Sequence, residues 1–266
     1  MEPHGTKSLK KKIVAVIPAR YSSTRLEGKL LLPLAGEPII LRTIRQALSA
    51  EILDEVIVAT DDERIAQVVR AAGHQAVMTS PNHKTGTDRI AEALTGTGAE
   101  VIVNIQGDEP FISPDTIEFA VRALIESEAD FATTCEAIES PHDVIDPNVV
   151  KVVTDNNGFA LYFSRAPIPF PRHEVLKHGD IATALKEEPT LLSKFRKHTG
   201  LYVFTSFGLR FFTTTAQTPN ELEESLEQLR IIESGHRIRV VETDHKSIGI
   251  DTQEDYERAK RLLGED

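Results

Sequence analysis

The sequence has a single cysteine among its 266 residues, so no disulfide can form within the chain. This excludes the small secreted folds that are built around disulfides. No apolar run approaches the roughly 20 residues of a membrane-spanning helix, and the polar start of the chain lacks the apolar stretch of a signal peptide. We therefore expect a cytoplasmic protein, in which Cys135 is a small buried hydrophobe within the apolar run Phe131–Ile138.

Basic residues are also scarce, since 30 Lys and Arg face 41 Asp and Glu and the net charge is -11. This balance argues against a general nucleic-acid-binding protein, which needs a basic face. It leaves room for a local basic pocket that binds a phosphorylated small molecule. The hydrophobic share of 40% is large enough for a sizeable core.

The first half of the chain alternates short apolar runs with amphipathic helical patterns. The predicted strands are 12–18, 55–62, 75–78 and 100–110. The predicted helices are 38–50, 64–72, 88–94 with Thr87 as its cap, and 113–128. Continuous apolar runs are typical of strands buried on both faces, so the alternation predicts a parallel sheet with helices on both faces.

The second half is less regular. Residues 148–165 indicate two strands around a turn, and 166–197 are expected to form a loop with one short helix. Further strands are predicted at 198–205 and 238–243. Helices are predicted at 221–232, with Leu222, Leu226 and Leu229 on one face, and at 252–263. No composition break marks a linker, so we expect a single domain over 12–266, preceded by a disordered tail, 1–11.

The segment PARYSSTRLEGK, Pro18–Lys29, follows the first strand directly. It contains three cations, Arg20, Arg25 and Lys29. It also offers hydroxyls and backbone amides at Ser22, Ser23, Thr24 and Gly28. Such a loop suits a polyphosphate at the carboxyl end of a parallel sheet, although a solvated basic loop is the alternative. The segment matches neither the Walker pattern nor GxGxxG.

Two acids stand at the ends of apolar segments. Asp108, in QGDEP after the fourth strand, is placed to hold a divalent metal, which would take its other ligands from phosphates and water. The alternative is that Asp108 and Glu109 cap the next helix or face solvent. Asp251, in GIDT, precedes the last helix, and there the simpler interpretation is that Asp251 or Thr252 is the N-cap. The segments 60–62 and 85–89 also follow strands and are expected to face the same crevice.

A third group of polar residues is scattered through the second half: Arg165, His198, Tyr202, Glu227 and Gln228. His198 and Tyr202 are four residues apart in a strand, so their side chains share a face. This group could bind the hydroxyls of a sugar, with Arg165 available for a carboxylate. Ordinary surface polar residues and one hydrogen-bonded histidine are the alternative.

Taken in order, nine segments resemble the CMP-Kdo synthetases, the 3-deoxy-manno-octulosonate cytidylyltransferases of the sugar nucleotidyltransferase superfamily. These segments are PARYSSTRLEGK, TDDERIA, TGTDRIAEA, VNIQGDEP, DPNVVKVV, ALYFSRAPIP, HTGLYVF, LEQLR and GIDTQEDYERAK. The resemblance runs from about Ile13 to Leu263. It implies an α/β fold of the Rossmann-like nucleotidyltransferase type, with a mixed, mostly parallel sheet and helices on both faces. It also implies a homodimer, with sugar-binding and dimerisation elements within about 148–235.

The implied reaction is the transfer of CMP from CTP to 3-deoxy-D-manno-octulosonate (Kdo) with release of pyrophosphate, with Mg²⁺, for lipopolysaccharide synthesis. The resemblance places Arg20, Ser22 and Lys29 at the CTP phosphates, and Gly86, Thr87 and Arg89 by the cytidine. It places Asp108 and Asp251 on Mg²⁺, and Gln106 between the two substrates. It places Arg165, His198, Tyr202, Glu227 and Gln228 around Kdo. Alternatives are another acidic sugar, such as an amino-Kdo analogue or sialic acid, and a non-catalytic nucleotide-sugar-binding protein.

The chain departs from the family pattern in two places. The loop that usually has the sequence LPGKPL is LEGKLL here, so Glu27 and Leu30 replace prolines. We expect this loop to be less rigid and to be mobile until CTP binds. The segment 171–192 follows no family pattern that we can align, which leaves the choice of octulosonate open.

Overall fold

A mixed sheet of nine strands forms the centre of the molecule, with a short two-stranded hairpin beside it. The computed structural model describes residues 11–23, 25–83, 85–127, 129–246 and 248–265. The predicted tail, except Lys11, and Thr24 of the basic loop lie outside these described residues. In chain order the strands are β1 Ile13–Ala19, β2 Pro33–Leu34, β3 Glu37–Pro38, β4 Glu55–Thr60, β5 Gln75–Met78, β6 Val101–Asn104, β7 Phe131–Ala137, β8 Lys151–Thr154, β9 Ala160–Ser164, β10 Arg196–Thr205 and β11 Ile238–Glu242.

The main sheet has the order β11-β7-β10-β6-β1-β4-β5, with β8 paired to both β10 and β9. Strands β6, β1, β4 and β5 are parallel, as the alternating pattern predicted. β10 is antiparallel to both β6 and β7, and β11 pairs in parallel with β7. The strand pair β2 and β3 forms the separate hairpin.

The helices are α1 Ile39–Leu48, α2 Glu63–Ala71, α3 Gly86–Ala93, α4 Pro114–Glu126, α5 Pro141–Ile145, α6 Arg172–His178, α7 Ile181–Glu187, α8 Ser206–Thr214, α9 Pro219–Glu224, α10 Leu229–Glu233 and α11 Gln253–Leu262. Two 3-10 helices cover Lys29–Leu31 and Pro189–Lys194. No helix among the described residues is long and apolar enough to cross a membrane.

Alternate side chains of β1 enter two different cores. Ala15 and Ile17 pack into one core with α1, α2, α4 and α11, whereas Val14 and Val16 pack into the other with α3, α8 and α10. Both faces of the sheet are therefore covered by helices, which explains why β1 is apolar at every position. The prediction of an α/β sheet covered on both faces is confirmed.

Several predicted boundaries need correction. The fourth strand ends at Asn104 rather than at residue 110, so the QGDEP segment is a loop. The helix before this strand, α3, begins at Gly86, and its N-cap is Thr85 rather than Thr87. Thr85 accepts from the amide of Asp88, and the Asp88 carboxylate accepts from the Thr85 amide. This reciprocal capping box is available to Thr85 but not to Thr87.

The prediction of a loop over 166–197 is wrong. This stretch contains α6, α7 and a 3-10 helix, which pack around a third, smaller core that includes Leu185, Leu191 and Phe195. The carboxylate of Asp180 caps α7 by accepting from the amide of Thr183. Three prolines of this stretch, Pro167, Pro169 and Pro171, precede α6, and Pro189 is the first residue of the 3-10 helix, so none interrupts a helix.

The single helix predicted over 221–232 is also wrong. The chain forms α9 and α10, separated at Ser225, which has a left-handed φ of 51°. Leu226 and Leu229 are buried, but the Leu222 side chain is 60% exposed, so the three leucines do not form one stripe. Glu227 and Gln228 consequently lie in the connection between two short helices rather than along a helix face.

Candidate active site

A crevice opens where β1 and β6 end. It is a cavity of about 390 Å³, lined on one side by the basic loop and on the other by the loop after β6. The polar lining residues are Arg20, Ser22, Ser23, Arg25, Lys29, Gln106, Asp108 and Asp251. The carboxyl ends of neighbouring parallel strands thus bring together residues that are far apart in sequence.

Lys29 lies at the centre of this crevice. Its ammonium forms ion pairs with Asp108 and with Asp251, the latter at 2.7 Å between Nζ and Oδ1. The other oxygen of Asp251 lies 3.1 Å from the guanidinium of Arg25. Burial of Lys29 disfavours its charge, but attraction to and hydrogen bonds with both carboxylates outweigh this effect and raise its pKa. The ammonium is therefore charged wherever the two acids are ionised.

Local backbone geometry places Lys29 at this point. The amide of Lys29 donates to the carbonyl of Leu26, and Gly28 between them has a φ of 64° and a ψ of 16°. These angles are close to the third position of a type II turn, which glycine favours. Leu30, which replaces a proline of the family pattern, is buried in the core. The loop is thus anchored by an apolar side chain next to its cation.

The two carboxylates are held by different segments that touch each other. The amide of Ile250 donates to the carbonyl of Asp108 at 2.9 Å. Thr252, not Asp251, is the N-cap of α11, in a capping box with Asp255. Of the two residues considered as the N-cap, Thr252 is thus the cap, and the carboxylate of Asp251 faces Lys29 instead. The next helix after Asp108, α4, has Ser113 as its N-cap residue.

The donor set is compatible with a magnesium ion. Asp108 and Asp251 supply hard carboxylate oxygens that converge on one cation, the Lys29 ammonium. Within the described part of the chain, no group of three or more His, Cys, Asp or Glu residues could enclose a metal. Mg²⁺ accepts such an arrangement, because it commonly binds to one or two carboxylates and completes its shell with phosphate oxygens and water.

A second cavity of about 270 Å³ adjoins the first, and the two share Gly86 and Gln106 in their linings. Three of the predicted sugar-binding residues, Tyr202, Glu227 and Gln228, line it. Thr87 lines it as well, so the first turn of α3 borders both cavities. Asn104 is a further lining residue that the sequence analysis did not single out. Its only signal is a polar residue at the end of an apolar strand.

Arg165 and His198 are not among the described residues that line this second cavity. Arg165 donates to the carbonyls of Pro147, Glu224 and Ser225, and Ser225 is itself a lining residue. His198 packs against the ring of Tyr202. These two residues therefore lie one layer behind the cavity wall.

Arg89 also lies behind the wall. Its side chain is fully buried and donates to the Asp61 carboxylate and to the Thr79 hydroxyl, both at 2.6 Å. Of the three residues expected near the cytidine, the structure brings Gly86 and Thr87 to the cavities, while Arg89 joins α3 to the ends of β4 and β5.

Burial shifts the titration of the second cavity. Burial and the neighbouring Glu227 raise the pKa of Tyr202 well above its usual value, so its phenol keeps its proton. Desolvation by the surrounding protein also raises the pKa of Glu227, although this residue remains partly exposed to solvent. Burial lowers the pKa of His198 to about 3, so the imidazole is neutral. Tyr202 in the cavity wall and His198 behind it are thus uncharged hydrogen-bonding groups.

Comparison with known proteins gives a consistent result. Residues 14–238 match the model of a family described as Cytidylyltransferase. The 3-deoxy-manno-octulosonate cytidylyltransferases of Trichlorobacter lovleyi and Geobacter sulfurreducens are 48% and 49% identical to this chain. Each match covers 94% of this chain and at least 98% of the relative. A solved structure of CMP:2-keto-3-deoxy-manno-octonic acid synthetase complexed with CTP superposes with a TM-score of 0.85 at 38% identity, covering 96% of this chain and 99% of that one.

Proposed function

We propose that this chain, which belongs to the cytidylyltransferase family, transfers CMP from CTP to Kdo. The reason is that it is similar over nearly its whole length to relatives that act on 3-deoxy-manno-octulosonate. The products are CMP-Kdo, for lipopolysaccharide synthesis, and pyrophosphate. The observation that carries this proposal is the convergence of Lys29, Asp108 and Asp251 in a crevice beside a second, less charged cavity. The first cavity suits a triphosphate and the second suits a polyhydroxylated sugar.

The reaction needs no nucleophilic side chain. The anomeric hydroxyl of Kdo attacks the α-phosphorus of CTP, a new P–O bond forms, and the bond to the pyrophosphate oxygen breaks. Catalysis is then a matter of positioning and of charge stabilisation. Arg20, Ser22 and Lys29 line the first cavity, where they bind the phosphates and stabilise the charge that grows on the leaving pyrophosphate.

Asp108 and Asp251 would hold Mg²⁺, which when bound polarises the α-phosphate and lowers the pKa of the attacking hydroxyl. In the structure, both carboxylates form ion pairs with Lys29, and Asp251 also pairs with Arg25. We infer that the lysine directs its charge toward phosphate oxygens when CTP is bound. Gly86 and Thr87, at the border of the two cavities, lie beside the cytidine.

Tyr202, Glu227 and Gln228 bind the hydroxyls of Kdo, and Gln106, in the linings of both cavities, lies between the two substrates. A protonated phenol and a side-chain amide donate to sugar oxygens, whereas a carboxylate or carbonyl oxygen accepts from sugar hydroxyls. Gln106 is oriented by Asn104, whose side-chain oxygen lies 3.5 Å from its Nε2.

We also infer a single catalytic domain over 12–266 in a cytoplasmic homodimer. Support for the dimer comes from the part between 148 and 235, where four large apolar residues are more than half exposed: Leu161, Phe170, Leu176 and Leu222, at 59%, 61%, 67% and 60%. Exposed apolar groups of this size are typical of an interface. Light scattering on the purified protein checks the mass, and a monomer at micromolar concentration would contradict the dimer.

A pyrophosphate-release assay tests the function. CTP with Kdo should give rapid release, while CTP with N-acetylneuraminate or with an amino-substituted Kdo should give much less. Omission of Mg²⁺ and addition of a chelator should stop the release. No release with CTP and Kdo, while a binding measurement shows that CTP binds, would favour a non-catalytic nucleotide-sugar-binding protein.

A further inference from the structure

Lys151, on β8, is fully buried, with 0% of its surface exposed. Its ammonium donates to three main-chain carbonyls, those of Asp146 at 3.0 Å, Val149 at 2.6 Å and Arg165 at 2.6 Å. A buried ammonium is costly unless its hydrogens are all bonded. These three carbonyls are therefore fixed in position relative to β8.

Arg165 extends this anchoring towards the second cavity. Its guanidinium donates to the carbonyls of Glu224 at 2.7 Å and Ser225 at 3.3 Å, and to that of Pro147 at 2.8 Å. The Glu224 carboxylate in turn accepts from the Arg165 amide at 2.9 Å and from the Ser164 hydroxyl at 2.6 Å. Hydrogen bonds from Ser164 and Arg165 to Glu224 thus join the end of β9 to the end of α9.

The sugar-side loop, Ser225–Gln228, begins at this junction. Ser225 has left-handed backbone angles, which a serine adopts only when its surroundings impose them. The other end of the loop is held by Arg230, which is paired with Glu221 inside the protein at 2.8 Å from Nε to Oε2. All four residues of the loop line the second cavity.

We propose that Lys151 and Arg165 are positioning residues that hold the sugar-side loop in its binding geometry, with Arg165 acting through the main chain of residues 224 and 225. The sugar part of this inference rests on the proposed function, since it requires that the second cavity binds Kdo. Lys151 donates all three of its ammonium hydrogens to carbonyl oxygens, and Arg165 uses three of its five N–H donors in the same way. A direct contact between Arg165 and the Kdo carboxylate is the competing view.

The first measurement needs no activity. Hydrogen exchange in the unliganded full chain follows the amide of Leu226, which donates to Glu221, and the amide of Leu229, which donates to Leu226. Lys151→Met should speed exchange at both at least tenfold, relative to amides of β1 and β4. Val153→Ala is the matched control, because it shortens a half-buried side chain of the same strand that lies outside the core cluster of Leu226 and Leu229. In the control, the exchange rate of the loop amides relative to the amides of β1 and β4 should stay within twofold of the wild-type value.

The second measurement separates the two substrates. In Lys151→Met, the KM for Kdo should rise at least fivefold while the KM for CTP stays within twofold, and Val153→Ala should change neither. Arg165→Lys, which keeps the charge but cannot reach three carbonyls, should give the same two results and replaces Lys151→Met if that variant does not fold. A raised KM for Kdo in Arg165→Lys with unchanged loop exchange would overturn the inference in favour of a direct contact.

The two proposals fail separately. If the wild type does not turn over CTP and Kdo, the proposed function is wrong, yet the exchange ratio still decides whether Lys151 holds the loop. If the wild type is active but Lys151→Met leaves loop exchange unchanged, or raises both KM values equally, the positioning inference is wrong and the function stands.

Discussion

The imidazole of His198 lies against the phenol ring of Tyr202, with ring centroids 5.3 Å apart and a tilt of 56° between the planes. His198 Nε2 is 2.9 Å from the hydroxyl oxygen of Thr133, and this hydroxyl donates to the carbonyl of Leu201 at 2.7 Å. The hydroxyl has one hydrogen, so it accepts from His198 and the imidazole carries its proton on Nε2. A neutral histidine of defined tautomer thus supports the tyrosine that lines the second cavity.

His198→Ala should impair the use of Kdo far more than the binding of CTP. The change removes one of the two rings that pack against Tyr202, while Phe204 remains in contact with it. Kinetics at varied Kdo and calorimetric titration of CTP measure the two effects. An equal loss of CTP affinity would assign His198 to the nucleotide side.

The neutral His198 also makes stability depend on pH. The pKa of this residue is 6.5 in an ordinary setting and about 3 in the folded protein. Below pH 6.5 the unfolded chain binds a proton that the folded chain does not, so folding stability falls as the pH drops from 6.5 towards 3. His198→Gln replaces the imidazole by a side chain that does not titrate. Between pH 7 and pH 5 the variant should lose about 1–2 kcal/mol less of its unfolding free energy than the wild type. Urea denaturation at both pH values checks this, and identical losses would contradict it.

Asp108→Asn and Asp251→Asn should each abolish turnover and leave the fold intact. Each change removes one of the two charged carboxylates that face the crevice, while Lys29 keeps the other as its partner. Asp155→Asn is a matched control, since Asp155 accepts hydrogen bonds in the remote turn between β8 and β9. Turnover within about tenfold of the wild type at saturating Mg²⁺, for either site variant, would contradict a two-carboxylate metal site.

Lys29→Ala should reduce kcat by roughly a hundredfold or more, of order 3 kcal/mol, as expected for the loss of one preorganised electrostatic donor. In the proposed reaction, the ammonium faces oxygens whose charge grows as pyrophosphate leaves, so its effect is larger in the transition state than in the ground state. Lys12→Ala, which removes an ion pair with Glu55 at the other end of β1, is the control. An unchanged kcat in Lys29→Ala would refute the assignment of the loop to the phosphates.

Glu27→Pro should improve CTP affinity by up to about 1 kcal/mol. Residue 27 is the second position of the turn from Leu26 to Lys29, where a type II turn favours proline. The substitution therefore restricts the free loop without opposing its folded geometry. Titration of CTP into the wild type and the variant tests this. Equal affinities would show that having Glu27 in place of the family's proline does not change the cost of ordering this loop.

Local patterns predicted the parallel half of the sheet because β1, β4, β5 and β6 are apolar at nearly every position. The same reasoning failed for 221–232, since the break at Ser225 depends on Arg165, which is 60 residues earlier in the chain. It failed for 166–197 because the helices there are stabilised by a small core of their own, whose members carry no clear periodicity.

The crevice was predictable because Lys29, Asp108 and Asp251 follow or precede recognisable elements, and parallel strands bring such ends together. The depth at which each side chain lies relative to the cavity wall was not predictable. The alternation of His198 and Tyr202 gave the correct shared face, but only the packed structure shows that one ring lies in the wall and the other behind it. Arg165 and Arg89 illustrate the same limit, because an arginine bonded to protein carbonyls or to a buried acid has the same sequence signature as one that binds a ligand.

The ion pair between Lys29 and Asp251 joins residues that are 222 positions apart. A ribosome making this protein completes the basic loop, β1 and the loop of Asp108 long before it adds the second carboxylate. A nascent or prematurely terminated chain that stops before Asp251 therefore has most of its core and its phosphate-facing cations, but not the acid that completes the crevice. In the proposed mechanism, catalytic competence therefore arrives with one of the last steps of synthesis, because a chain without Asp251 lacks one of the two carboxylates that would hold Mg²⁺.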